Sequence, residues 1–385
     1  MTNPVTPTVP TTRRAVSAPV PAYAPTGPGV LKFGGSSFTS HAAYEELARA
    51  LAGRLDAEAR PLAVVVSAMP GETEGLRERL HAVDPHPSGD RVAGLLTLAD
   101  TISAHLLTAA LHRLGRRATV LAGHEAGLIT DETFMWARLE RIDPEPLQQA
   151  FAAYEVVVVP GGQAVDPRGR PTWLGKNSSD LSAVAVAVAL GAPRCEIHSD
   201  VEGIHSSDPR RVTGTRLLGH VSYDDAAAVS LHGAKVLHRR AVRLAEEHGV
   251  TIVCRHNRPP FTPGTVIGPG GGRADAVVLN LHSLVLRYHD HEEADRAHRA
   301  FRSDGVDTIR LDDAPAVALI GGYVDHEASA HRHGIAVGRA AGIPVTEIRG
   351  GRTTVHVAAD EAAAVRLAQK LHDELPVPRP TGVPA

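Results

Sequence analysis

Two periods of apolar residues alternate along this chain. Short continuous apolar runs end in glycine or small polar residues, and stretches with apolar side chains every third or fourth position lie between them. Val30-Leu31-Lys32-Phe33 is the first run and leads into Gly34-Gly35-Ser36-Ser37; Leu62 to Val66 is the second and leads into Ser67-Ala68-Met69-Pro70-Gly71. Between them, Tyr44 to Leu55 places Leu47, Leu51 and Leu55 on one helical face. Strand, helix and strand in that order predict a right-handed crossover unit with parallel strands. The pattern continues with a helix over Ala93 to Leu114, a short strand over Ala118 to Leu121 and a strand over Glu155 to Val159, whose unbroken apolar run suits burial on both faces. A tightly packed Ala/Val helix over Asp180 to Leu190, a strand over Arg194 to His198, two helices within Tyr223 to His248 and a closing strand over Thr251 to Arg255 complete the series.

Gly268-Pro269-Gly270-Gly271-Gly272 interrupts this pattern as a hinge or linker, assigned to residues 268–275. Beyond it the grain changes. Ala276 to Arg287 reads as a strand pair or one long strand, Glu292 to Ser303 as a helix, and Thr308 to Leu311 and Ala316 to Gly322 as strands. Ala328 to Ala341 is predicted helical, Val345 to Arg349 and Thr353 to Val357 extended, and Asp360 to Leu375 helical. Such units form small α/β sandwiches suited to ligand binding or dimerisation. Residues 1–29, rich in Pro, Thr and Ala, read as a disordered tail, and 378–385 as a second one.

Composition narrows the class. The 385 residues suffice for two or three domains, and 43% hydrophobic with 22% charged residues is an ordinary globular balance. A formal net charge of −3 leaves no electrostatic footprint for nucleic acid or an anionic membrane surface. Two cysteines, Cys195 and Cys254, exclude a disulfide framework and point to the reducing cytoplasm. No uninterrupted apolar run approaches the ~18 residues that span a bilayer, and the N-terminus lacks the apolar stretch of a signal peptide. The chain has 22 histidines, and the pairs His289/His291 and His331/His333 would each share a face if extended. Neither pair has a third ligand at structural-zinc spacing, so both read as surface histidines.

Candidate chemistry gathers at the strand ends. Gly34 and Gly35 allow backbone N–H groups to approach a phosphate, and Lys32 places a cation beside them. The loop is not a P-loop, since no Gly-x-x-x-x-Gly-Lys-Ser/Thr occurs, and no Gly-x-Gly-x-x-Gly opens the first crossover unit.

Val30 to Ser37 resembles the opening signature of aspartate kinases in the amino-acid-kinase family. The likeness continues at Val64 to Met69, at Leu174-Gly175-Lys176-Asn177-Ser178-Ser179-Asp180, and at Glu196 to Ile204 with Asp208-Pro209-Arg210. It is closest at Gly233-Ala234-Lys235-Val236-Leu237-His238 and ends at Pro263-Gly264-Thr265. These blocks keep the family's order from residue 30 to about 267. The resemblance implies a three-layer α/β fold with a mainly parallel central sheet, occupying 30–267, and paired ACT-like α+β modules over 276–377. Residues 276–377 are short for two complete copies.

The roles it implies agree with what phosphoryl transfer requires, which is charge stabilisation and in-line positioning. Lys32 and Lys235 would flank the transferring phosphoryl group, with Asp180 between the two ammonium groups. Gly34, Gly35, Ser36, Ser199, Asp200 and Arg210 would bind ATP; Ser67, Thr73, Asp100, Lys176 and Ser179 would face the acceptor. Mg²⁺ would bridge the ATP oxygens, and a homodimer through the ACT-like region would be expected.

The acceptor side departs from the family pattern. Ala99-Asp100-Thr101 stands where the family has Gly-Glu-Arg, Lys176 where it has the arginine that binds the α-carboxylate, Asn177 and Ser178 where it has two glycines, His205 where it has tyrosine and Arg239 where it has proline. Each ion-pair partner keeps its sign but becomes shorter or less directional. Three readings stay open: a kinase converting aspartate to 4-phospho-aspartate, a kinase of another amino-acid-like acid, and an idle regulatory subunit. Retention of Lys32, Asp180 and Lys235 speaks against the last. Gly321-Gly322-Tyr323-Val324-Asp325-His326 replaces the usual effector turn, so feedback by lysine or threonine is not expected.

Overall fold

The structure is a computed structural model and describes residues 27–234, 236–321 and 325–376. Residues 1–26 of the first expected tail and all of the second, 378–385, lie outside that range, as do Lys235 and residues 322–324 of the altered effector turn. The chain begins with β1 (Gly29–Phe33), a 3₁₀ turn (Gly35–Ser37), α1 (His41–Glu58) and β2 (Leu62–Val66), followed by α2 (Glu72–Val83), α3 (Gly89–Arg113) and β3 (Ala118–Val120). Next come β4 (Leu128–Thr130), β5 (Leu139–Ile142), α4 (Glu145–Phe151), β6 (Val156–Pro160), β7 (Gln163–Val165) and β8 (Pro171–Trp173). The rest of this half is α5 (Ser179–Ala189), β9 (Arg194–Ser199), β10 (His220–Val221), α6 (Tyr223–Leu231), α7 (Arg239–Glu247), β11 (Thr251–His256) and β12 (Pro263–Ile267).

Eight strands form one sheet in the order β10-β12-β11-β9-β1-β2-β6-β3. β3, β6, β2, β1, β9 and β11 run parallel, and β12 turns back antiparallel on β11. Because β2 and β6 are apolar and buried at every position, both faces of the sheet are covered. One apolar layer joins the sheet to α5, α6 and α7, and the other to α1 and α3. This is the expected three-layer, mainly parallel architecture. A four-stranded sheet, β5-β4-β7-β8, sits beside it and was not foreseen, because its strands are only three or four residues long. The strand expected to close the series at Arg255 is instead followed by β12.

On the α1 side of the sheet, a buried charge cluster fills the space between β9 and α1. Glu196 accepts a forked pair of bonds from Arg54 (2.8 and 2.9 Å) and lies 2.8 Å from Arg255. Burial opposes its ionisation, but the two guanidinium groups hold its carboxyl far below the usual range. The helix α3 bears on the question of a membrane span. It is long and apolar enough, by length and composition, to cross a membrane, although half of that window is buried inside the protein. Val92, Leu96, Leu107 and Leu111 are among its buried residues, which marks it as a core helix.

The C-terminal half contains β13 (Ala276–Leu279), β14 (Leu284–Arg287), α8 (His291–Ser303), β15 (Thr308–Leu311), β16 (Ala316–Leu319), α9 (His326–His333), β17 (Arg339–Arg349), β18 (Arg352–Ala358) and α10 (Glu361–Asp373). β17 is the spine of an antiparallel six-stranded sheet, pairing with β14 near its start and with β13 and β18 further along. This antiparallel α+β region is consistent with ACT-like modules. The helix expected over Ala328 to Ala341 is much shorter, because Gly334 adopts a left-handed φ of 60° and caps it; residues from Arg339 onward are extended. His331 and His333 therefore lie on a helix rather than a strand. The glycine-rich segment is anchored too, since Gly272 bridges to Val221 and Ala274 is buried.

Candidate active site

Parallel sheets place their ligands beyond the carboxyl ends of the strands, where connections diverge to either side. The sequence blocks singled out above converge at that end of β1, β2 and β9. Lys32, the penultimate apolar-run residue of β1, is buried among its neighbours, and its Nζ lies 2.8 Å from Asp180 Oδ1. The second carboxylate oxygen, Oδ2, accepts the backbone N–H of His238 at 3.0 Å. Asp180 sits in the first turn of α5, where the helix N-terminus favours an anion. One carboxylate thus ties β1 to the segment entering α7. Burial pushes the His238 imidazole down to about 4, against the pull of Asp180, so it is neutral at pH 7.

The loop after β1 is held from two sides. The Gly34 amide donates to the His198 carbonyl at 3.1 Å, and a Cβ on Gly35 would come within 2.8 Å of the Ala68 carbonyl. Only glycine permits that approach between the β1 and β2 loops. Across the same gap, Ser67 Oγ donates to Ser179 Oγ at 2.8 Å. These groups leave a lysine, backbone amides and small hydroxyls facing one place, a set suited to phosphate oxygens.

The other expected residues divide into two groups. Ser199 lies at the end of β9, with its hydroxyl donating to the Val201 carbonyl, and Asp200 and Arg210 pair with each other at 2.7 Å on an exposed rim. On the acceptor side, Thr73 and Glu74 open α2, and Glu74 lies 3.6 Å from Lys176 Nζ. Asp100 Oδ1 accepts the Ala68 N–H at 2.9 Å. Burial pushes its carboxyl up to about 7, against the pull of that bond and of Lys32. A carboxyl in that state holds the β2 loop and is a weak counter-ion for a substrate amine. Lys235 lies outside the described residues. Its neighbours Gly233 and Ala234 do not: the Gly233 carbonyl accepts from Asn280 Nδ2 at 3.1 Å.

Sequence reasoning missed Asn257. Its Nδ2 donates to Ser36 Oγ (3.0 Å) and Ser37 Oγ (3.2 Å), and its amide donates to the Ser199 carbonyl (2.8 Å). This buried side chain joins the glycine loop to the end of β9. The available signal was its position, two residues past the expected strand over Thr251 to Arg255, at the ligand end of the sheet. Arg240 was also missed. Its guanidinium donates to the carbonyls of Leu174 (3.0 Å) and Ala137 (2.7 Å), clamping the segment that leads into Gly175 and Lys176.

Comparison with known proteins bears on the family and the fold. Residues 29–256 match the model of the amino acid kinase family. The chain is 36% identical over 238 residues to an aspartokinase of Helicobacter pylori, covering 62% of this chain and 58% of that one. It is 38% identical over 271 residues to one of Mycobacterium tuberculosis, covering 69% and 62%. The chain therefore spans little more than half the length of the curated relatives it matches. Among solved structures, an aspartate kinase from Synechocystis superposes with a TM-score of 0.54 at 29% identity, over 75% of this chain and 52% of that one. Aspartokinase III of E. coli in complex with aspartate and ADP superposes with a TM-score of 0.67, over 90% of this chain and 99% of that one; at 20% identity this is a likeness of fold.

Proposed function

Because the chain belongs to the amino acid kinase family, we propose that it transfers the γ-phosphoryl group of ATP to the side-chain carboxylate of aspartate. A carboxylate oxygen attacks the γ-phosphorus, the bond to the β,γ-bridging oxygen breaks, and ADP leaves with 4-phospho-aspartate as the acyl phosphate. The observation that carries this reading is the buried Lys32–Asp180 pair beside the Gly34-Gly35 loop. A lysine held at 2.8 Å by a carboxylate that also caps the approach to α7 is pre-positioned for equatorial phosphoryl oxygens. Lys235 would supply the second cation, and Ser36, Ser199, Asp200 and Arg210 the contacts to the rest of ATP. Mg²⁺ would ride on the phosphate oxygens, since no three His, Cys, Asp or Glu side chains gather among the described residues. We place the enzyme in the cytoplasm and expect a homodimer through the ACT-like region.

A second acceptor remains in play on a specific observation. Lys176 is already met by Glu74, and Asp100 is bound to the Ala68 amide, so both walls expected to grip aspartate are engaged within the chain. A larger or N-substituted acid would be favoured if those contacts persist during turnover. ADP release measured across a panel of amino acids separates the two readings. Aspartate giving the highest kcat/KM supports the first; a larger acid exceeding aspartate by tenfold or more supports the second; no acid-dependent ADP release with any of them contradicts both.

A further inference from the structure

Trp136 lies in the irregular segment between β4 and β5, outside every sequence block that carries the family likeness, and no role above uses it. Its indole fills the space beside two glycines that belong to different halves of the molecule. A Cβ on Gly175 would overlap ring atoms Cε3 and Cζ3, and a Cβ on Gly305 would overlap Cγ, Cδ1 and Cδ2. Gly175 is the residue before Lys176 on the acceptor side. Gly305 is in the turn between α8 and β15 of the ACT-like region. Both glycines have left-handed φ values, 108° and 79°, so neither position admits another residue without strain.

The tryptophan is itself strained, with φ at 62°, and such a conformation persists only where its surroundings over-determine it. Those surroundings are visible. The neighbouring Ala137 donates its N–H to the Trp173 carbonyl at 2.9 Å, and its own carbonyl accepts from Arg240, which also binds Leu174. From the other half, Asp307 pairs with Arg239 at 3.4 Å. Asp304 is held by Ser329, Arg332 and His333. The 304–307 turn is thus braced both on its own module and on α7.

We propose that Trp136 is a positioning residue for the acceptor: packed on Gly175, it fixes the backbone that presents Lys176, and the 304–307 turn keeps it there. This rests on the reading of Lys176 and Ser179 as acceptor-side residues. The ATP loop is held separately, by His198, Ala68 and Asn257, so loss of the indole should disturb acceptor binding and spare ATP.

The test combines kinetics with fluorescence. With aspartate as acceptor, Trp136→Ala raises the acceptor KM roughly tenfold or more while the ATP KM stays within about twofold. Trp136→Phe restores most of the loss, and Gly305→Ala, in the other half of the molecule, reproduces the same KM split by pushing the ring. Equal rises in both KM values, or an unchanged acceptor KM in a folded Trp136→Ala protein, would overturn the role. Should Trp136→Ala not fold, the Phe and Gly305 variants carry the comparison alone. The chain has only two tryptophans, so Trp173→Phe leaves Trp136 as the sole indole emitter. In that background Gly305→Ala shifts the emission, and the true acceptor shifts it as well. If aspartate is not turned over but another acid moves the emission, the acceptor assignment fails and the positioning role stands. If neither Gly305→Ala nor any acid of the panel moves it, the positioning role fails.

Discussion

At the scale of single residues, the site depends on buried polar groups held by partners far away in sequence. Lys32 was legible because it stands two residues before a glycine turn at a strand end, where a cation would meet a phosphate. Its partner Asp180 came from the family likeness, as the anion that two neighbouring ammonium groups require. Asn257 and Arg240 were not legible, since a lone amide past a strand and an arginine on an amphipathic helix look like ordinary surface residues. Their partners are carbonyls and hydroxyls far away in sequence. Lys32→Ala should lower kcat by about 10²–10³, the cost of losing one group that stabilises transition-state charge, with a smaller change in the acceptor KM. Steady-state kinetics that leave kcat near the wild-type value would remove Lys32 from the mechanism. For Asn257→Ala the expected signature differs: the freed Ser36 and Ser37 hydroxyls loosen the ATP loop, so the ATP KM rises several-fold while the melting temperature falls only modestly. An unchanged ATP KM would reduce Asn257 to a packing contact.

At the scale of elements, long periodic segments were read well and short or glycine-interrupted ones poorly. α1, α3, α5 and the central strands were all expected close to where they occur, because their periodicity is set by burial on a wide sheet. β4, β5, β7 and β8 carry too few residues to show a period, and α9 stops where Gly334 turns left-handed. Contacts between elements add a titration that no pattern could reveal. His232, at the C-cap of α6, is buried against Thr346 of β17, with its ring nitrogen 3.0 Å from the threonine hydroxyl. Burial pushes its imidazole from the ordinary 6.5 down to about 4. A base depressed in this way leaves stability intact above the unfolded value. As pH falls from 6.5 through about 4, the unfolded chain takes up a proton that the folded site refuses, and stability is lost. Asp100 works in the opposite sense across pH 4–7, so the total is not diagnostic and the difference between proteins is. Urea midpoints at pH 7 and pH 4.5 should show His232→Asn losing less stability on acidification than wild type, by on the order of 1–3 kcal/mol. Parallel loss in both proteins would contradict this.

At the scale of the whole molecule, the C-terminal region is docked rather than tethered. Val277 donates its amide to the Ser206 carbonyl, Ser206 and His372 share a bond of 2.9 Å, and Asn280 holds the Gly233 carbonyl. The change of grain at residue 268 falls between β12, which ends at Ile267, and β13, which begins at Ala276. It did not show that the antiparallel half braces the turn entering Lys235 and the segment around Gly175, because such contacts join residues far apart in sequence, 47 positions in the case of Asn280 and Gly233. The central claim is that this assembled site makes an acyl phosphate of aspartate at the expense of ATP. Phosphorus NMR of the reaction, with and without hydroxylamine, tests it most directly. An aspartate-dependent acyl-phosphate signal should accompany ADP and vanish on adding hydroxylamine, with stoichiometric hydroxamate, and should be absent with Lys32→Ala. ADP forming without any hydroxylamine-sensitive product, or no aspartate-dependent turnover at all, would contradict the account.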